Sequence, residues 1–134
     1  MSKGLRHYTG GCLCGAVRYD AAGEPAYSGH CYCGDCRKAS GSGFIPFMSY
    51  PASAVSFTGE PRQHVVRSAR GTDAVRNFCT VCGGLVFGGR VGIDTEHTIY
   101  AGTLTFFAVA PARTQPRRRP RYAWAARACK GEAQ

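Results

Sequence analysis

The chain has 134 residues, enough for one domain with a modest hydrophobic core. Hydrophobic residues make up 44% and charged residues 19% of the sequence, which excludes a largely disordered chain. The net charge of +9 lies mostly after residue 110, where six Arg and one Lys face one Glu, so it does not by itself indicate a nucleic-acid-binding domain.

The sequence shows no sign of a membrane or secreted protein. No stretch approaches the roughly 18 apolar residues of a membrane span, and the first residues, "MSKGLRHYTGG", lack the apolar core of a secretion signal. We therefore expect a cytoplasmic protein with no membrane partner. Thiols are kept reduced in the cytoplasm, so clustered cysteines there indicate metal ligands or reactive thiols before disulfides.

The predicted secondary structure consists of short strands. Alternating hydrophobicity with β-branched and aromatic residues predicts strands over residues 16–19, 26–31, 44–50, 55–58, 64–67, 75–78, 85–87 and 98–101, with a candidate last strand over 121–126. Only one short helix is predicted, over residues 35–39. The close spacing of the strands favours an all-β fold of small antiparallel sheets over βαβ units, which need helical crossovers.

The domain organisation is simple. No boundary is predicted before Pro111, and the sequence after it is rich in Pro and Arg. We expect a single zinc-binding, catalytic-type domain over residues 1–128 and a flexible end over residues 129–134. Cys129 in that end has no neighbouring cysteine and is interpreted as a lone thiol.

Two cysteine pairs predict a structural metal site. The turn "CTVCGG" places Cys79 and Cys82 at the spacing that brings two thiolates onto one zinc ion. Cys12 and Cys14 are the best candidates for the other two ligands, because residues two apart on a strand point to the same face. Four thiolates form a closed zinc site that contributes to folding. The alternative is a set of free buried thiols.

The remaining group of three cysteines predicts a second, open site. Cys31, Cys33 and Cys36 lie within six positions, and zinc with three protein ligands keeps a fourth position for water or substrate. Two zinc ions per chain are therefore expected. Two alternatives remain open from the residues alone: a structural site completed by His30 or Asp35, and a redox-active thiol group without metal.

The residues after the triplet suggest contacts with a ligand. Arg37 and Lys38 place positive charge beside the cysteines, which lowers a thiol pKa and attracts anions. Ser40 could donate a hydrogen bond to a carboxylate. The three residues are our candidates for binding the thiol substrate, and the alternative is a solvated basic turn.

Four stretches of the chain resemble one known family in the order in which they occur. They are "GGCLCGAVRY" at 10–19, "HCYCGDCRKASGSGF" at 30–44, "FCTVCGGLVF" at 78–87 and "AGTL" at 101–104. The family is that of the glutathione-dependent formaldehyde-activating enzymes, which also contains centromere protein V.

The resemblance implies a fold, a metal content and an activity. The fold is a zinc-stabilised β-tent-like arrangement of small antiparallel sheets. The implied structural zinc ligands are Cys12, Cys14, Cys79 and Cys82, and the implied ligands of the second zinc are Cys31, Cys33 and Cys36. The implied activity is that of a carbon–sulfur lyase that joins a thiol such as glutathione to the small aldehyde formaldehyde, giving S-hydroxymethylglutathione.

The basic C-terminal segment suggests a function of a different class. In "RRRPRYAWAAR" the arginines could contact phosphates, while Tyr122 and Trp124 could stack on bases. The alternative hypothesis is therefore a non-catalytic, zinc-folded binding module for nucleic acid or another polyanion. The lyase remains the leading hypothesis, because a short basic tail is usually a solvated chain end.

Overall fold

A computed structural model describes residues 4–68 and 70–105 of the chain. In order, the elements are β1 (His7–Gly11), β2 (Arg18–Ala22), β3 (Tyr27–Cys31), α1 (Gly34–Ser40), β4 (Ile45–Pro51), β5 (Val55–Thr58), β6 (Arg62–Arg67), β7 (Asp73–Phe78), β8 (Leu85–Gly88) and β9 (Glu96–Tyr100). Two 3₁₀ turns cover Ala52–Ala54 and Ala101–Thr103. The candidate strand over 121–126 and the predicted C-terminal end lie outside the described residues.

The strands form two antiparallel sheets. The smaller sheet has the order β1-β2-β5 and the larger one the order β3-β4-β9-β8-β7-β6. Every strand pair in both sheets is antiparallel. The predicted all-β fold of small antiparallel sheets with little helix is confirmed.

All eight strands predicted before residue 111 overlap a strand of the structure, and the predicted helix overlaps α1. Strand β1 was not predicted, because its sequence HYTGG shows no alternation of apolar residues. It is an edge strand whose one buried residue is Gly10. A Cβ atom at Gly10 would overlap the Thr103 carbonyl oxygen and the Tyr19 hydroxyl, so the close packing of this edge requires glycine.

The hydrophobic core lies between the two sheets. Phe57 of β5 stacks on Phe87 of β8, with ring centroids 3.9 Å apart and an interplanar angle of 19°. The fully buried core residues include Val17 just before β2, Ala21 of the smaller sheet, and Tyr50, Val86 and Ile99 of the larger sheet. This packing brings the loop after β1 in one sheet against the loop after β7 in the other.

The group of three cysteines lies at the end of β3, where Cys31 is the last residue of the strand and Cys33 and Cys36 come just after it. Cys33 is the N-cap of helix α1, and its sulfur accepts a hydrogen bond from the Cys36 backbone N–H. The helix ends at Gly41, which has a left-handed φ of 69° and donates its N–H to the Arg37 carbonyl oxygen. The short helix thus turns Cys36 back toward the end of β3.

Candidate functional site

The first candidate site is a cluster of four cysteine sulfurs where the two sheets meet. The Cys12 and Cys14 sulfurs are 3.7 Å apart, and the Cys14 and Cys79 sulfurs are also 3.7 Å apart. Together with the Cys82 sulfur, all four lie within 4.8 Å of one another. The structure therefore brings together the four residues that the sequence predicts as structural zinc ligands.

The backbone of both loops holds these sulfurs in place. The Val17 N–H donates to the Cys12 sulfur, and the Val81 N–H donates to the Cys79 sulfur. The distance from nitrogen to sulfur is 3.3 Å in each case. Gly83 has a φ of +73°, which lets the chain turn sharply after Cys82. Backbone N–H donors to ligand sulfurs are the outer contacts that orient ligands around a metal ion.

Hydrogen bonding within the cluster separates the pKa values of Cys12 and Cys14. Burial alone would raise the pKa of Cys12, but hydrogen bonds from the Val17 N–H and the neighbouring thiols lower it to about 6. The hydrogen bond from the Ala16 N–H lowers the pKa of Cys14. Burial and hydrogen bonds with the other three thiols raise it, and the result is a pKa of about 11. Four sulfurs this close cannot all be thiolates unless a cation lies among them.

The donor set fits zinc. Tetrahedral zinc with bonds of about 2.3 Å places its thiolate ligands roughly 3.8 Å apart, and the sulfurs here are separated by nearly that distance. Gly84 also keeps space beside the cluster, because a Cβ atom there would lie 3.3 Å from the Cys82 sulfur. The four-cysteine cluster can therefore hold a zinc ion without rearrangement of its backbone.

The second candidate site is the three-cysteine cluster, formed by Cys31, Cys33 and Cys36. The Cys31 and Cys33 sulfurs are 3.5 Å apart, and the three sulfurs lie within 4.8 Å of one another. Among the described residues, neither His30 nor Asp35 joins this group of donors. Three thiols around one point fit a zinc ion that keeps a further coordination position.

Arg76 contacts the three-cysteine cluster from strand β7. Its Nη2 atom donates a hydrogen bond to the Cys36 sulfur at a distance of 3.6 Å, although the two residues are 40 positions apart in the sequence. Hydrogen bonding to Cys31 and burial raise the pKa of Cys36, and the hydrogen bond from Arg76 opposes that rise. This contact was not predicted from the sequence. The one available signal was a charged residue within a strand just before "FCTVC".

The three-cysteine cluster lies in the wall of a cavity of about 530 Å³, a size typical of small-molecule sites. Its walls also include Ile45 and Phe47 of β4, Arg76 of β7, and Thr98 and Tyr100 of β9. None of the residues of the four-cysteine cluster lines this cavity. The two clusters thus differ in their surroundings, since the three-cysteine cluster lines this cavity and the four-cysteine cluster does not.

A hydrogen-bonded carboxylate forms another part of the cavity wall. Tyr27 donates its hydroxyl to Glu96 Oε1 over 2.6 Å, and Ser49 donates to the same oxygen. Tyr27 and Glu96 both line the cavity. This group joins strands β3, β4 and β9, and sequence analysis missed it because the three residues are far apart along the chain.

The predicted ligand contacts of Arg37, Lys38 and Ser40 stay predictions. All three residues lie in α1 next to the cluster, but none is among the described residues that line the cavity. The Ser40 hydroxyl donates to the Cys36 carbonyl oxygen over 2.8 Å, which is a contact within the helix. The segment from Arg117 to Trp124 lies outside the described residues.

Comparisons with known proteins identify the family. The model of the family described as "Glutathione-dependent formaldehyde-activating enzyme" matches residues 7–122. A crystal structure of a Rhodobacter sphaeroides protein has a similar fold, with a TM-score of 0.54 and 23% sequence identity over 77% of this chain and 91% of that chain. No curated protein matches the chain. In the described part of the chain, no helix is long and apolar enough to cross a membrane. Because the family model spans most of the sequence, the chain belongs to that family.

Proposed function

We propose that the chain, as a member of the glutathione-dependent formaldehyde-activating enzyme family, is a zinc-dependent carbon–sulfur lyase. Its proposed substrates are a thiol such as glutathione and formaldehyde, and its product is S-hydroxymethylglutathione. The observation that carries this proposal is the three-cysteine cluster in the wall of the large cavity. A small thiol that enters the cavity meets this cluster.

The two clusters have different proposed roles. The structural zinc would be held by Cys12, Cys14, Cys79 and Cys82, and the second zinc by Cys31, Cys33 and Cys36. At the three-cysteine cluster, bound zinc would supply Lewis-acid chemistry that favours the thiolate form of a substrate thiol at neutral pH. The four-cysteine cluster, in contrast, is proposed to stabilise the fold by joining the two sheets.

The proposed reaction makes one bond and moves one proton. The thiol loses its proton to water, its sulfur forms a bond to the formaldehyde carbon, and the C=O π electron pair moves onto oxygen. Water then protonates that oxygen. His30 is not used as a base here, because it does not line the cavity and its ring packs on Phe44 with centroids 5.0 Å apart.

The cavity walls would position the substrates. Ile45 and Phe47 are buried apolar residues beside the cluster, where they limit the access of water. Arg37, Lys38 and Ser40 remain our proposed contacts for charged groups of the thiol. Holding both reactants in one cavity converts their encounter into a reaction between neighbouring groups.

The remaining expectations belong to the same proposal. We propose a cytoplasmic location, since all seven described cysteines are free thiols. We also propose a single domain over residues 1–128. The alternative binding module depends on the Arg-rich segment, which lies outside the described residues. No contact among the described residues favours that alternative over the lyase.

The test is an exchange assay at equilibrium. Because formaldehyde and thiols also combine without an enzyme, the rate of exchange between free formaldehyde and the glutathione adduct should be compared with a sample lacking protein. We expect zinc-loaded protein to accelerate exchange and Cys33→Ser to abolish the acceleration. Cys129→Ser is the matched control, because this cysteine has no neighbouring cysteine in the sequence.

Two results would contradict the proposal. Zinc-loaded protein that exchanges formaldehyde no faster than the protein-free sample would exclude this pair of substrates. Full activity in Cys33→Ser, with its zinc content measured, would remove the three-cysteine cluster from the mechanism.

A further inference from the structure

Arg76 is a buried cation with spare hydrogen-bonding capacity. Only 7% of its surface is exposed, and its Nε atom is buried without a hydrogen-bond partner among the described residues. No Asp or Glu in the described part of the chain forms a salt bridge with it. A guanidinium offers five N–H donors, and the contact to the Cys36 sulfur uses one of them.

Burying a charge in this way is costly unless it is paired. The Cys36 thiol accounts for part of the pairing, but it leaves the Nε donor unused. A buried polar group without a partner needs an explanation, such as a catalytic role or a bound water or ion. The Nε atom itself is enclosed, but Arg76 lines the cavity and its guanidinium has further N–H donors that the Cys36 contact does not use, so a ligand in the cavity can accept from one of them.

The sheet gives Arg76 room to lie along the cavity wall. On the neighbouring strands, Arg76 is in register with Gly88, and Gly88 is in register with Thr98. Gly88 has no side chain to cover the sheet between Arg76 and Thr98, and a Cβ atom on Gly88 would lie 3.4 Å from the Tyr100 hydroxyl. The guanidinium can therefore extend from β7 to the cysteine cluster.

We propose that Arg76 is a catalytic residue that donates a hydrogen bond to the oxygen of the thiol–formaldehyde adduct. This inference rests on the proposed function and assigns a residue that the family motifs do not single out. The adduct oxygen is one carbon away from the sulfur that reacts. The carboxylates of glutathione are many bonds away, so a donor that touches the cluster is placed for the reacting oxygen.

The proposed role follows the electron flow of the reaction. When the thiolate sulfur bonds to the carbonyl carbon, the π electron pair of the C=O bond becomes a negative charge on oxygen. A donor held beside that oxygen stabilises the charge until water protonates it, and the reverse reaction passes through the same anion. Arg76 itself neither gains nor loses a proton in this scheme.

A purely structural role makes a different prediction. If Arg76 only supports Cys36, its replacement should disturb the metal site and the fold. If it serves the reacting oxygen, replacement by an apolar residue of similar length should preserve both, because the three sulfurs and not Arg76 would hold the metal.

The experiment compares Arg76→Met with Arg62→Met in the zinc-loaded full chain. Arg62 loses the same charge, but it is exposed, does not line the cavity and has no described contact with the cluster. We expect both variants to keep two zinc ions and the wild-type melting temperature. Formaldehyde exchange should fall about 100-fold in Arg76→Met, as on loss of an oxyanion donor, and stay near wild type in Arg62→Met.

A second readout does not depend on turnover. In cobalt-substituted protein, mercaptoacetate and ethanethiol can be titrated against the absorption bands of the metal, since one carries an anionic oxygen near its sulfur and the other does not. We expect the preference for mercaptoacetate to fall about tenfold in Arg76→Met, since a hydrogen bond to a charged group is lost. Any direct contact between the carboxylate and the metal also occurs in Arg62→Met, so this control removes its contribution.

The outcomes separate this inference from the proposed function. Wild-type exchange and an unchanged mercaptoacetate preference in Arg76→Met overturn the role of Arg76. If wild-type protein does not exchange formaldehyde, the lyase proposal fails. In that case, loss of the mercaptoacetate preference in Arg76→Met still supports an anion contact of Arg76, and an unchanged preference refutes that contact. Loss of zinc or of the fold in both Arg76→Met and Arg76→Lys shows a structural role and also overturns the inference.

Discussion

Replacement of Cys82 by Ser tests whether the four-cysteine cluster stabilises the fold through a metal. A structural zinc contributes roughly 10–16 kcal/mol of binding free energy to folding, whereas a whole domain is stable by only about 5–15 kcal/mol. If the loss of one thiolate in four removes even a quarter of the binding free energy, the domain loses about 3 kcal/mol. For a chain of this length, that lowers the melting temperature by roughly 10 °C or more.

The position of the cluster makes this a lower bound. Cys14 and Cys79 touch although they are 65 positions apart, so loss of the metal also removes the link that holds the β1 and β7 loops together. Zinc content should be measured by elemental analysis and unfolding by thermal melts, for Cys82→Ser beside Cys129→Ser. A Cys82→Ser protein with the zinc content and melting temperature of the control would refute the structural assignment.

Further predictions concern the metals, the cavity, the core and the tail. Mild chelation should remove one of two zinc ions first while the fold survives, because a metal site with an exchangeable coordination position is more labile. Elemental analysis that gives one zinc per chain in both wild type and Cys33→Ser would contradict the presence of a second zinc site. Gly88→Ala should fill space beside the Tyr100 hydroxyl and weaken thiol binding to the cobalt form, with a loss of stability because the new Cβ atom would also lie 3.2 Å from the Val75 carbonyl oxygen. Burial raises the pKa of Tyr19 to about 12, so the stability that its neutral hydroxyl contributes is present below about pH 10 and is lost as the pH rises through 12. Thermal melts between these pH values should show a smaller loss of stability in Tyr19→Phe than in the wild type. Deletion of Arg117–Arg121 should reduce the salt-dependent binding of polyanions without changing formaldehyde exchange, and unchanged nucleic-acid binding would remove the support for a binding module.

The fold and the cysteine grouping were largely accessible from the sequence. Strands such as β2 and β5 alternate clearly because one face packs in the core, and a period of two is visible in a single chain. The four-cysteine and three-cysteine clusters were predicted because the ligand spacing within each group is local. Strand β1 was missed because an edge strand with little burial leaves no such pattern.

The contacts between distant strands were not accessible in the same way. The sequence favoured Arg37 and Lys38 as cations for the triplet because they follow it directly, but Arg76 makes the described contact with Cys36. That contact depends on the register of β7 in the sheet and on how α1 folds back over it, and neither is encoded locally. The Tyr27 and Glu96 pair depends on register in the same way.

The four-cysteine cluster also has a consequence for the order in which the chain folds. The β3–β4 and β6–β7–β8 pairings join neighbours in sequence and can form on the timescale of hairpins. The cluster instead needs two loops separated by most of the described chain, and such distant contacts form late because loop closure must come first. We therefore expect the last step of folding to depend on zinc concentration. Synthesis under zinc limitation would then leave chains with formed hairpins but an open joint between the two sheets.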